Sequence, residues 1–141
     1  MRDIRKHRKL YLNVEYTLDI HIAYMLFFTM KWTVEILNKK VQKELESLPK
    51  DLMAKFLHIA QMLEDFGPEN IKEPFVKPLK FQSSSLWEIR MKGKSGIARA
   101  IYVTVKHKRI VILHAFVKKS QKTPQDSLIK AVKRIKEINY D

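Results

Sequence analysis

Leu86-Trp-Glu-Ile-Arg-Met91, Lys92-Gly-Lys-Ser-Gly96, Ile97-Ala-Arg-Ala-Ile-Tyr-Val-Thr-Val105, Lys106-His-Lys108 and Arg109-Ile-Val-Ile-Leu-His-Ala-Phe-Val117 follow one another without a break. β-Branched and aromatic residues dominate the three longer runs, and the two short basic segments have the length and composition of hairpin turns. Strands joined this tightly are antiparallel, because a parallel pair needs a long crossover between its members. Val76 to Phe81, broken by Pro78, is a further strand candidate in front of them.

Working outward toward the N-terminus, Trp32-Thr-Val-Glu-Ile-Leu37 reads as a first strand. Asn38 is placed to cap a helix running to about Leu48, with Val41, Leu45 and Leu48 on one face. Pro49 stops that helix. A second helix is predicted over residues 50–66, where Leu52, Phe56, Ile59, Leu63 and Phe66 recur at helical spacing. Gly67-Pro68 ends it. Working toward the C-terminus, Thr123-Pro-Gln-Asp126 opens a last helix, with Thr123 expected as N-cap and Leu128, Ala131, Val132, Ile135 and Ile138 forming its apolar stripe. The fold class that follows is α+β: a helical hairpin packed on a small, mainly antiparallel twisted sheet, followed by a C-terminal helix. The hairpin covers one sheet face, and the other is expected to stay free, as antiparallel sheets tolerate.

Residues 1–29 stand apart and are read as an N-terminal extension of unknown role, with the main domain spanning 30–141. Residues 1–9 are basic, Tyr11 to Ile22 alternates apolar and polar residues as a half-buried strand does, and Ala23 to Met30 is apolar. Glu15, Asp19 and His21 interrupt this segment, and its apolar run is about half the length of a membrane span. An early start codon is one explanation for it. A cytoplasmic protein is expected.

The chain has 141 residues, 45% apolar and 30% charged, with 3 glycines and 5 prolines, which excludes disordered and low-complexity classes. It has no cysteine, so disulfides and thiol chemistry are excluded. Its 5 histidines show no metal-ligand spacing, and neither a metal nor a cofactor is expected. The net charge is +13. Residues 1–75 carry 12 basic and 11 acidic side chains, whereas residues 76–141 carry 16 and 4. A field of that sign attracts polyanions, nucleic acid first and an anionic membrane second.

Alternation assigns faces. Trp87, Ile89 and Met91 share one, expected to be buried, so Glu88 and Arg90 point away from the helices. Arg99 is not oriented by its pattern. His114 is expected to lie with Ile110, Ile112 and Phe116, opposite Val111, Leu113, Ala115 and Val117. Glu88, Arg90, Arg99 and Lys118 or Lys119 on one surface have what RNA cleavage needs. Guanidinium groups hold phosphate oxygens and stabilise charge on phosphorus, Glu88 can take a proton from the 2′-hydroxyl, and a lysine or His114 can donate one to the leaving oxygen. The plain alternatives are a surface Glu88–Arg90 ion pair, a core histidine and a solvated lysine pair.

The series Leu79-Lys80, Leu86-Trp-Glu-Ile-Arg90, Arg99, Tyr102, Ile112-Leu-His-Ala-Phe-Val-Lys-Lys119, Thr123-Pro124 and Ala131 resembles the RelE/ParE toxin superfamily, most closely its phage-derived, HigB-like branch. The likeness covers about residues 30–138. It implies a RelE-like fold and the toxin of a type II toxin–antitoxin system, a metal-independent, ribosome-dependent mRNA endoribonuclease that inhibits translation. It also implies three partners: mRNA, the ribosome, and a cognate antitoxin, commonly a helix-turn-helix protein. Carried over by position, Glu88, Arg90, Arg99 and Lys119 are the catalytic candidates, and Lys77, Lys80, Lys92, Lys118 and His114 are candidates for RNA contact. Glu88 stands where RelE has a lysine, and Tyr140 lies beyond the last helix, so the usual C-terminal tyrosine has no convincing counterpart. A ParE-like gyrase inhibitor and a non-enzymatic nucleic-acid-binding regulator are the alternative functions.

Overall fold

The computed structural model of the chain describes residues 20–23, 25, 31–120 and 122–140. The chain divides into two units, Met1–Lys31 and Trp32–Asp141. In the first, residues 20–23 and 25 are helical. This corrects the strand expected up to Ile22, and the rest of that expected strand lies outside the described residues. Ala23 and Met25 favour helix over strand, and at this end of the alternating run that preference wins.

The second unit begins with β1 (Thr33–Ile36), α1 (Lys39–Glu46) and α2 (Lys50–Phe66). Asn38 caps α1 as expected, its side-chain oxygen accepting from the Val41 N–H at 3.1 Å. Four strands follow: β2 (Val76–Phe81), β3 (Ser84–Gly93), β4 (Gly96–Val105) and β5 (Arg109–Lys118). Helix α3 (Gln125–Arg134) closes the chain with a 3₁₀ turn at Ile135–Glu137. The sheet order is β1-β5-β4-β3-β2, antiparallel throughout except that β1 runs parallel to β5. The α1–α2 hairpin carries the chain from β1 at one edge of the sheet to β2 at the other, and the long stretch from β1 to β5 permits their parallel pairing. Pro78 is tolerated because β2 is the opposite edge strand.

One core lies between the hairpin and the sheet. Val41, Leu45, Leu52, Phe56, Ile59 and Leu63 meet Ile89, Met91, Ala100, Tyr102, Ile110 and Ile112. Leu52 is fully buried, which contributes about 2 kcal/mol. Trp87 stacks on Tyr102 within this layer, with ring centroids 6.4 Å apart.

A second core lies on the other sheet face, where Leu86, Ile101, Val103, Val111 and Leu113 pack against Ala131, Leu128 and Val132 of α3. The expectation that this face stays free is therefore corrected: its apolar end is covered by α3. The apolar stripe of α3 and the second apolar side of β4 and β5 supply each other's burial.

The face assignment in β5 is also corrected. Ile101 pairs with His114, but Tyr102 pairs with Ile112, so Leu113 is an inserted bulge residue. The bulge breaks the period of two. Ile110, Ile112 and Ala115 face the hairpin, while Val111, Leu113 and Phe116 face α3.

Candidate functional site

The charged end of the α3-side face is built from three rows that cross the strands. Lys77, Glu88, Ile101 and His114 form the first, Arg90, Arg99 and Phe116 the second, and Lys92, Ile97 and Lys118 the third. Paired residues on neighbouring strands stand on the same side of a pleated sheet, so Arg99 lies with Glu88 and Arg90. That settles the orientation the sequence pattern left open.

Glu88 is the centre of the group and only 2% exposed. Its Oε1 stands 3.7 Å from Arg99 Nε and 3.9 Å from Arg90 Nε. Its Oε2 accepts a hydrogen bond from the Thr123 hydroxyl at 2.8 Å. Arg99 is 5% exposed, and its Nη1 donates to the Ala98 carbonyl at 2.8 Å. Arg99 Nε has no hydrogen-bond partner among the described residues. Burial holds the pKa of Arg99 below the ordinary arginine value; Glu88 opposes this and Arg90 adds to it. Lys118 is shifted in the same direction, by burial first and then by Arg99, against the pull of Glu88. A lysine shifted toward neutrality exchanges its proton more readily at physiological pH. Arg90, half-buried, and the exposed Lys77 and Lys92 form the accessible rim.

The structure therefore brings together Glu88, Arg90, Arg99, Lys118, Lys77 and Lys92. Three of the residues expected in the site stand apart. Lys119 lies past the end of β5 and is exposed, and its inward neighbour Lys118 takes the buried place, because Lys118 keeps the parity of Phe116. Lys80 shares parity with Val76, which packs in the hairpin core, so it stands on the opposite sheet face.

His114 shares the Glu88 row but is 5% exposed, with Nδ1 2.8 Å from Glu44 Oε1 and its ring stacked on Phe116 at 5.0 Å. Burial lowers its basicity, and Lys130 and Arg134 add to this against the attraction of Glu44. The neutral ring then donates its Nδ1 proton to Glu44.

Thr123, the expected helix cap, belongs to this cluster instead. Pro124 is the N-cap residue of α3 and no side chain caps it. The Thr123 hydroxyl is turned to Glu88 instead. Among the described residues no three His, Asp or Glu side chains stand together as metal ligands, and no helix is long and apolar enough to cross a membrane.

The family described as "Phage derived protein Gp49-like" matches residues 43–136, from α1 through α3 and its terminal turn. The chain belongs to this Gp49-like family. The match agrees with the resemblance to the phage-derived branch of the RelE/ParE-type superfamily, and the α+β layout of the Gp49-like domain is the one that resemblance implies. The chain is similar to the archaeal RelE-RelB complex structure from Pyrococcus horikoshii OT3, with 34% identity over 62% of this chain and 96% of that one, at a TM-score of 0.48. It is also similar to a mutant of the E. coli toxin RelE in the free state, with 15% identity over 75% of this chain and 99% of that one, at a TM-score of 0.46. No curated protein matches the chain significantly.

Proposed function

We propose that this Gp49-like protein is the toxin of a toxin–antitoxin pair and inhibits translation by cutting mRNA on the ribosome. The observation that carries the reading is the cluster of Lys77, Arg90, Arg99 and Lys118 around one buried carboxylate, Glu88, on the sheet face that α3 leaves open. Cations gathered this closely repel one another, and Glu88 offsets part of that repulsion. A phosphodiester entering between them adds negative charge, and more of it as the transition state forms.

RNA carries its own nucleophile. The 2′-oxygen attacks phosphorus, the bond to the 5′-oxygen breaks, and the products are a 2′,3′-cyclic phosphate and a 5′-hydroxyl. One proton leaves the 2′-hydroxyl and one reaches the departing oxygen. Arg90 holds the phosphate from the accessible rim, and Arg99 stabilises charge from beneath. Lys118, which burial and Arg99 hold below the ordinary lysine pKa, is the proton-transfer candidate within the cluster. The burial of Glu88 suits it to orienting the two guanidiniums more than to meeting the 2′-hydroxyl directly. The cognate antitoxin, a helix-turn-helix protein by the family resemblance, silences the toxin by binding it.

The test is induced expression with mapping of new mRNA 5′ ends, wild type beside Arg90→Ala and Lys118→Ala. Cuts in translated messages that disappear in both variants are expected. Intact messages accompanied by DNA damage would move the protein to gyrase inhibition. Intact messages without toxicity would leave a binding module. Cuts that persist in both variants would remove the cluster from the mechanism.

A further inference from the structure

Thr123 lies 35 positions beyond Glu88 in the chain, in the connection between β5 and α3, yet its hydroxyl stands 2.8 Å from Glu88 Oε2. Three observations make this more than a chance contact. The carboxylate is 2% exposed, so water competes poorly for that oxygen. The Thr-Pro sequence places a good capping residue at the helix start, but α3 has no side-chain cap bond, so the hydroxyl serves the carboxylate and not the helix. The backbone after Thr123 is anchored: Ser127 N–H and Leu128 N–H both bond the Pro124 carbonyl, and Leu128 and Ala131 pack into the α3-side core. A donor on a fixed backbone holds one carboxylate oxygen, which leaves Oε1 directed at Arg90 and Arg99.

We propose that Thr123 is a positioning residue that fixes the Glu88 carboxylate and, through it, the Arg90 and Arg99 guanidiniums. As a statement about catalysis it rests on the nuclease reading above. The hydroxyl donates to Glu88 with no bond made or broken, so its contribution is geometric. Without it the carboxylate rotates, and the guanidiniums lose the orientation in which they meet a phosphate.

The experiment uses the full chain as wild type, Thr123→Val and Thr123→Ser. Valine keeps the shape without the donor, and serine keeps the donor. Two quantities are read: the rate of reporter-mRNA cleavage in a translation reaction at saturating and limiting message, and the ¹³C resonance of the Glu88 carboxyl carbon at neutral pH. Thr123→Val is expected to lower the saturated rate roughly tenfold with little change in the half-saturating message concentration. It is also expected to move the carboxyl resonance, with Thr123→Ser restoring both. An unchanged resonance in Thr123→Val, an unchanged rate, or a loss that serine does not restore would each overturn the proposal. If wild type cleaves no message, the nuclease reading fails and the resonance alone decides: moved by valine and restored by serine upholds the positioning of Glu88, and unmoved overturns it.

Discussion

The Arg134 guanidinium grips the Glu44 carboxylate with two hydrogen bonds of 2.9 Å, Nη1 to Oε1 and Nη2 to Oε2, across 90 positions of chain. The pair clasps α1 to α3 around the edge of β5 where β1 has ended. Glu44 Oε1 also accepts from the Ala115 N–H at 3.1 Å, and Arg134 Nη1 donates to the Leu113 carbonyl at 2.9 Å. Backbone groups beside the bulge, left without a neighbouring strand, are satisfied by side chains. Glu44→Gln keeps the shape but removes the charge facing Arg134. A loss of about 2 kcal/mol is expected in urea unfolding. Unchanged stability would mean that the clasp contributes nothing net.

Acid should lower the stability of the fold around the same clasp in two stages. Burial alone would raise the Glu44 pKa, but hydrogen bonds from Arg134, His114 and Ala115 outweigh it and hold Glu44 below the ordinary value of 4.5. A depressed carboxylate stabilises the fold above its unfolded pKa, and this stability is lost as pH falls through the folded value. His114 is held below 6.5, chiefly by burial, so the unfolded chain takes up its proton first. Stability therefore starts to fall as pH drops below about 6.5 and falls further below the ordinary carboxylate range. Thermal midpoints from pH 7.5 to 2 check this. His114→Gln should flatten the upper part of the decline, and a variant curve parallel to wild type would count against it.

Arg90 and Arg99 differ as mutational probes despite their shared carboxylate. The Arg90 side chain is 28% exposed and that of Arg99 6%. Arg90→Ala should change stability by no more than about 0.5 kcal/mol while abolishing cleavage. Arg99→Ala leaves Glu88 buried with one partner fewer and should cost about 3 kcal/mol. Parallel unfolding curves for the three proteins separate the cases. Equal losses would mean that Glu88 does not depend on Arg99.

RNA affinity should fall steeply with salt, because each cation that meets a phosphate releases a counterion. Arg90→Ala should reduce the slope of log affinity against log salt by about 0.7 for single-stranded RNA. Anisotropy titrations at four ionic strengths measure it. An unchanged slope would place Arg90 off the RNA path.

Gly93 ends β3 against the first turn of α2. A Cβ there would collide with the Asp51 carboxylate and crowd Leu52. Asp51 also accepts the Ser95 N–H at 2.9 Å, so the helix start and the β3–β4 turn share one contact. Gly93→Ala should cost about 2 kcal/mol, readable as a lowered thermal midpoint, and an unchanged midpoint would show that the turn yields freely.

Local periodicity by itself determined the elements from β1 to α3, though not the helical residues 20–23 and 25. The four-and-three recurrence of apolar residues marks α2 over residues 50–66, Asn38 marks the start of α1, and the tight turns make β3, β4 and β5 antiparallel. These signals act over a few residues, where backbone sterics and side-chain spacing are decisive. Only the tertiary structure decided the rest, because each deciding contact joins residues far apart in sequence. The β4 pairing put Arg99 beside Glu88, and the Leu113 bulge moved His114 into the Glu88 row. Strand parity selected Lys118 over Lys119, and the Thr123 hydroxyl left the helix it was expected to cap for a carboxylate 35 positions away. Alternation has no term for an inserted residue, and a capping preference has none for a buried carboxylate that accepts the same proton.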